Sequence, residues 1–264
     1  MARVSHSLLD RWLSVPLKRL YPRLGIPRWF PPEGIVLAGH ACAIAAAVGF
    51  ACSSKWWWGG VLAAIGVAAN HFADLIDGTH ARTTNQCRNG GELLDHLTDP
   101  LSFSYWMIGI GIAAGAPLWG TAAVVGIYAT AVLTNIRAKI TGEFALAAFG
   151  PTEFKTLLAL FGLTMTAATG GLFVPLAPAT IAFWFLAPLV IVGIVQLAAQ
   201  LVSSVRQVNA AAVEADETEW VMDGGAQAPR APRPLAESES LVLLDAQRGR
   251  TADSRSPHRN DVPV

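Results

Sequence analysis

Acidic side chains are almost missing from the middle of this 264-residue chain. Between Gly34 and Val205 there are seven: Asp74, Asp77, Glu92, Asp95, Asp99, Glu143 and Glu153. Charged residues make up 14% of the whole chain, against roughly 25% in ordinary soluble domains. That scarcity excludes a water-facing fold for the central region. The formal net charge is zero, which removes the basic surface that a nucleic-acid partner requires. Cysteine is rare as well. Cys42, Cys52 and Cys87 lack metal-ligand spacing and read as small apolar fillers or a loop thiol. Residues 1–33 lack both a continuous apolar core and a small-residue cleavage site, so they do not read as a secretory signal.

What abounds is apolar: 53% of the residues are hydrophobic. They gather into six segments, about 34–53, 57–77, 91–114, 118–140, 153–174 and 178–203. Each is near the roughly 20 residues a helix needs to cross hydrocarbon. The expectation is an all-α integral membrane protein whose catalytic domain, 34–205, has six transmembrane helices. Small residues such as Ala45, Ala46, Ala47, Gly49 and Gly66 would let those helices approach closely. Trp56, Trp57 and Trp58 read as an interfacial anchor.

The flanks differ from the centre. In 1–33, Leu8, Leu9, Trp12, Leu13 and Leu20 form a broken helical stripe, with Arg11, Lys18, Arg19 and Arg23 on the polar side. This segment is expected to be an amphipathic interfacial helix bent at Pro16, or a basic flank to the first span. From 206 to 264 the chain turns polar, rich in Arg and Pro, and reads as a mostly disordered tail. The patch SLVLLDAQ at 240–247 within it could be a short helix or docking motif. Lys55 alone is basic between the first two spans, and the third-to-fourth and fifth-to-sixth connections have no Lys or Arg. Arg82, Arg88, Arg137, Lys139 and Lys155 mark the other side. The positive-inside bias then puts both termini in the cytoplasm, with the acidic stretch at the cytoplasmic face.

That stretch, Asp74 to Asp99, holds five of the seven central acids. Asp74 and Asp77 are three apart and Asp95 and Asp99 four apart, so each pair shares a helix face. Clustered carboxylates at a membrane surface call for positive charge among them, and hard divalent cations with oxygen ligands supply it. Gly78 permits close backbone approach to a nucleotide, and Arg82 offers planar donors to phosphate oxygens. Gly91 is expected to open the third span, whose free N–H groups favour an anion. Glu92 and His96 are four apart beside Asp95, an arrangement in which a carboxylate orients an imidazole as a base. Asn70 and His71 precede Asp74 by one turn, and a polar residue inside a span is a functional candidate. His80 falls in the expected loop, within reach of a donor head group, and His40 reads as a buried hydrogen-bonding residue.

The spacing D-x2-D-G-x2-A-R-x8-G-x3-D-x3-D resembles the signature of the CDP-alcohol phosphotransferase family. Asp74, Asp77, Gly78, Ala81, Arg82, Gly91, Asp95 and Asp99 fill all eight fixed positions. The resemblance is clearest over this motif, and the tail lies outside it. It implies a transferase of phospholipid biosynthesis that moves a substituted phosphate from a CDP-linked donor to a hydroxyl acceptor and releases CMP. Two Mg²⁺ or Mn²⁺ ions would be held by Asp74, Asp77, Asp95 and Asp99. Asp77, Gly78, Ala81, Arg82 and Gly91 would bind the CDP moiety. Asp99 would ligate the second metal or act as general base.

ARTTN followed by GELLDHLTD, together with GPTE at 150–153, is similar to the choline/ethanolamine phosphotransferase branch. There Glu92 and His96 are candidates, with Asp99, for deprotonating a diacylglycerol hydroxyl. Leu97 and Pro100 depart from that branch's pattern. Arg137, Lys139, Glu153 and Lys155 are candidates for an acceptor or head-group pocket, or mark the membrane boundary. The family also suggests a homodimer. The alternatives are a phosphatidyltransferase using CDP-diacylglycerol with a small alcohol, and a cation transporter with an acidic intramembrane site.

Overall fold

A computed structural model describes residues 2–5, 8–146, 150–172 and 176–210. Within them, the side chains of residues 2–5, 143–146, Glu92 and Asp95 lie outside the description. The expected disordered tail beyond residue 210, including 240–247, also lies outside it.

Six long helices make the body: α2 (Pro32–Cys52), α3 (Trp57–Thr84), α4 (Asn89–Ala113), α5 (Pro117–Thr141), α6 (Pro151–Thr169) and α7 (Pro178–Ala210). Four of them, α2, α5, α6 and α7, begin with proline, whose missing N–H has no intrahelical partner to lose there. Gly142, at φ 72°, ends α5 in the left-handed conformation and turns the chain outward. A four-residue parallel ladder follows, β1 (Ala2–Ser5) against β2 (Glu143–Leu146), which is the one departure from an all-helical chain among the described residues.

Four helices, α2, α3, α5 and α7, are long and apolar enough to cross a membrane. The other two are less apolar: α4 carries Glu92, Asp95 and Asp99, and the 19-residue α6 carries Glu153 and Lys155. Two boundaries differ from those expected. Apolar character stops at Asp77, yet α3 continues to Thr84, since no proline interrupts it and the single Gly78 costs only about 1 kcal/mol. It stops where Asn85 takes the left-handed conformation, φ 59°. The helix α4 starts at Asn89, two residues before Gly91.

Packing places α3 against α2 and α6, and α4 against α2, α5 and α7. The two acid-bearing helices, α3 and α4, are not an extensively packed pair. Phe50, Trp106, Phe161 and Leu186 fill the core from four different helices. Trp106 also donates its indole N–H to the Ala43 carbonyl across 2.9 Å, tying α4 to α2. Between α3 and α6 the backbones nearly touch. A Cβ added to Gly162 would sit 2.8 Å from the Gly60 carbonyl oxygen. Such contact is how helices associate where burial of apolar surface gives little drive.

Residues 8–31 do not form one amphipathic helix. They form α1 (Ser14–Lys18), a 3-10 turn at Tyr21–Leu24 that Gly25 ends in the left-handed conformation, and irregular chain, with Pro16 and Pro22 in the first turns of the two short helices. This segment straps the ends of α3 and α6. The Leu9 N–H donates to Glu153 Oε1 at 2.9 Å, and Thr152 donates to Asp10 Oδ1 at 2.6 Å. Leu8 and Trp12 point outward, 71% and 72% exposed.

Candidate active site

Because α3 continues as a helix through the first half of the motif, Asp74, Asp77, Ala81 and Arg82 are presented from one rigid element. Asp99 comes from the third turn of α4, about one turn past His96. The structure brings Asp74 and Asp99 together through a residue outside the motif. Lys155 of α6 places Nζ 2.9 Å from Asp74 Oδ2 and 2.9 Å from Asp99 Oδ1. Its side chain is 1% exposed, whereas the two carboxylates are 26% and 29% exposed. The ammonium therefore lies behind the carboxylates, and the carboxylates face the accessible side. Phe103 of α4 covers the ammonium, with its ring centroid 5.7 Å from Nζ. A buried cation with two charge-assisted hydrogen bonds compensates carboxylates that would otherwise repel.

The remaining motif residues surround this centre unevenly. The Asp77 carboxylate accepts the N–H of Gly78. Arg82 is exposed and folds back over Gly78: a Cβ there would meet its guanidinium nitrogens at 3.3 and 3.4 Å. Glycine at 78 thus makes room for Arg82 one turn later. Ala81 and Gly91 are half-buried, as is His96. The side chains of Glu92 and Asp95 lie outside the described residues. Among the described residues no three His, Cys, Asp or Glu side chains converge to hold a metal ion. The donor chemistry does fit a hard divalent cation: two carboxylates already converge on one positive charge, with Asp77 on the same helix as Asp74.

The four candidates for an acceptor pocket do not act as a group. Lys155 bridges the aspartates. Glu153 is buried and caps its own helix, its Oε2 accepting the Gly150 N–H at 2.9 Å and its Oε1 the strap's Leu9 N–H. Arg137 is half-buried on α5, and Lys139 is exposed.

His80 is a correction to the sequence reading. It is fully buried in α3, not in a loop, and both ring nitrogens are engaged. Nε2 lies 2.9 Å from the Phe30 carbonyl oxygen and so donates to it. Nδ1, 2.8 Å from the Tyr21 hydroxyl, then accepts. His80 fastens the strap and has no nitrogen left for a head group. His71 is the reverse case: it is buried one turn before Asp74, and neither ring nitrogen has a hydrogen-bond partner among the described residues. Asn70 beside it donates to the Gly39 carbonyl at 3.1 Å and so packs α3 against α2.

An apolar cavity between α6 and α7 is not part of this centre. It holds about 550 Å³ and is lined by Leu157, Leu160, Phe161 and Thr164 of α6 with Thr180, Ile181, Trp184 and other residues of α7 and the segment before it. At 100° per residue, those α6 positions lie away from the face that carries Lys155.

A helical, membrane-type bundle with a charge-compensated carboxylate pair, approached by an arginine one to two turns away, defines a membrane protein built to handle anionic groups. The profile of the CDP-alcohol phosphatidyltransferase family matches residues 29–195, more than half of the chain. The chain belongs to that family of transferases. It is 36% identical to cholinephosphotransferase 1 of Homo sapiens over 95 residues, 34% of this chain and 23% of that protein. Against the Gallus gallus protein of the same name it is 34% identical over 113 residues, 40% of this chain and 33% of the relative. The Mus musculus protein gives 37% over 94 residues, 33% and 24%. The chain thus spans no more than about a third of the length of these curated relatives. They support the choline/ethanolamine branch over the others in the family.

Proposed function

We infer that the protein transfers a phosphoalcohol group from CDP-choline or CDP-ethanolamine to diacylglycerol and releases CMP. The observation that carries this reading is the meeting of Asp74 and Asp99, one from each half of the motif, at a single accessible centre. Asp74, Asp77, Asp95 and Asp99 would hold two divalent ions, Mg²⁺ or Mn²⁺. Those ions, when bound, would neutralise charge on the pyrophosphate as its P–O bond breaks.

The chain's own residues supply the rest. Arg82 reaches phosphate oxygens, and its exposure leaves its donors free to do so. The acceptor oxygen attacks the phosphorus that carries the alcohol, the bond to CMP breaks, and the hydroxyl proton passes to a base. His96 is that base in this reading, with Glu92 holding the ring, and Asp99 is the alternative base. All six long helices cross the bilayer. Asp99 of α4 and Lys155 of α6 meet within the bundle and neutralise each other. Both termini and the acidic centre lie on the cytoplasmic side, in keeping with Arg82, Arg88, Arg137 and Lys139. The strap's exposed Leu8 and Trp12 suit the interface there.

The test is release of CMP by the purified protein in detergent. CDP-choline and CDP-ethanolamine are each supplied with diacylglycerol, and CDP-diacylglycerol with small alcohols. Turnover with the first two supports the reading. Turnover only with CDP-diacylglycerol would move the protein to the phosphatidyltransferases, and cation flux without CMP release would remove it from both.

A further inference from the structure

We propose, on the reading of the aspartates as metal ligands, that Lys155 is a built-in counterion occupying the divalent-cation position, so that metal uptake is an exchange of cations. Three observations carry it. First, Lys155 Nζ makes its two short contacts with oxygens of Asp74 and Asp99, the carboxylates that metal would need. Both oxygens lie within 2.9 Å of one nitrogen, so they are at most about twice that apart, gathered round a single positive charge. Second, the ammonium is buried to 1% exposure, with the carboxylates between it and the accessible side. An ion arriving from that side meets oxygens already committed to Lys155, and two like charges cannot share them at these distances without strong repulsion. Third, the ammonium has a place to stay once it lets go of one carboxylate, because Phe103 covers it from α4.

Lys155 lies outside the eight motif positions, 56 residues after Asp99. The motif alone therefore does not imply it. The exchange accounts for two carboxylates of like charge converging on one ammonium. Lys155 keeps α3, α4 and α6 in register until the ion arrives, and a weaker site for metal follows. In this role Lys155 is a positioning residue that acts through Asp74 and Asp99.

The experiment is a titration of Mn²⁺ into the full-length protein in detergent, with free Mn²⁺ read by electron paramagnetic resonance. It is run on the wild type, Lys155→Met, Lys155→Arg and Asp74→Asn, each checked for folding by its melting curve. Lys155→Gln replaces the Met variant if the latter does not fold. Removing the competitor should tighten Mn²⁺ binding about tenfold or more in Lys155→Met, while Lys155→Arg, which keeps the charge, stays within about threefold of wild type. Asp74→Asn should weaken binding. Unchanged or weaker binding in Lys155→Met, with Asp74→Asn still impaired, overturns the exchange and leaves the metal reading standing. Equal binding by wild type and Asp74→Asn overturns the metal reading and the exchange with it.

Discussion

The contact between Gly162 and Gly60 should set the distance across the active site. Replacing Gly162 with alanine would put a Cβ 2.8 Å from the Gly60 carbonyl oxygen, 2.9 Å from the Ala64 nitrogen and 3.2 Å from the Ala64 Cβ. Ordinary contact begins near 3.4 Å, so α6 must move off α3 by about 0.6 Å. Overpacking of this kind costs about 1–3 kcal/mol. Lys155 lies two turns earlier on the same face of α6. A parallel shift would stretch its 2.9 Å contact with Asp74 to about 3.5 Å, beyond a good hydrogen bond. A 1 Å misplacement typically costs about 10²-fold in rate, so a shift of this size should cost on the order of tenfold. The assay is CMP release from CDP-choline with diacylglycerol, run beside a melting curve in the same detergent. Gly126→Ala is the control, because a Cβ there meets nothing within 4 Å. If Gly162→Ala melts and turns over like Gly126→Ala, the close approach of α3 and α6 does not govern the site.

Three further outcomes can be checked with the same material. Asp74→Asn and Asp95→Asn should each abolish turnover in a folded protein, and EDTA should do the same reversibly, with Mg²⁺ or Mn²⁺ restoring it; near-normal activity of either variant contradicts the two-metal assignment. His96→Ala should lower kcat by about 10²- to 10⁴-fold with donor binding intact, whereas a loss under about threefold leaves Asp99 as the base. Tyr21→Phe leaves His80 Nδ1 buried without its partner, which should lower stability by about 1–3 kcal/mol, seen as an earlier melting transition; an unshifted melt means the strap does not depend on this bond.

The apolar segments of the chain mark the helices well, because length and hydropathy are local properties. The end of α3 is less legible. Hydropathy fades at Asp77, but a helix continues until backbone chemistry stops it, here at Asn85. That difference turned an expected loop into helix and moved His80 into the interior. The motif located Asp74 and Asp99 without difficulty, since its spacing is a one-dimensional pattern. Lys155 was visible only as one of several basic residues near a membrane boundary. Its pairing joins positions 81 and 56 residues apart, which no periodicity encodes. The same holds for the strap, where Tyr21 and His80 are 59 residues apart. Glu153 carried a local clue, three residues after Gly150 in a GPTE sequence, and its capping role follows from that spacing.

The order in which the charges appear along the chain bears on how the protein is made. Asp74 and Asp99 emerge from the ribosome well before residue 155. During that interval the nascent chain must carry acidic helices into the bilayer with no ammonium to offset them, an arrangement lipid tolerates poorly. Arrival of α6 supplies the missing cation from within. Insertion of α6 then completes the cluster, and a chain cut short before Lys155 lacks the cation that Asp74 and Asp99 share.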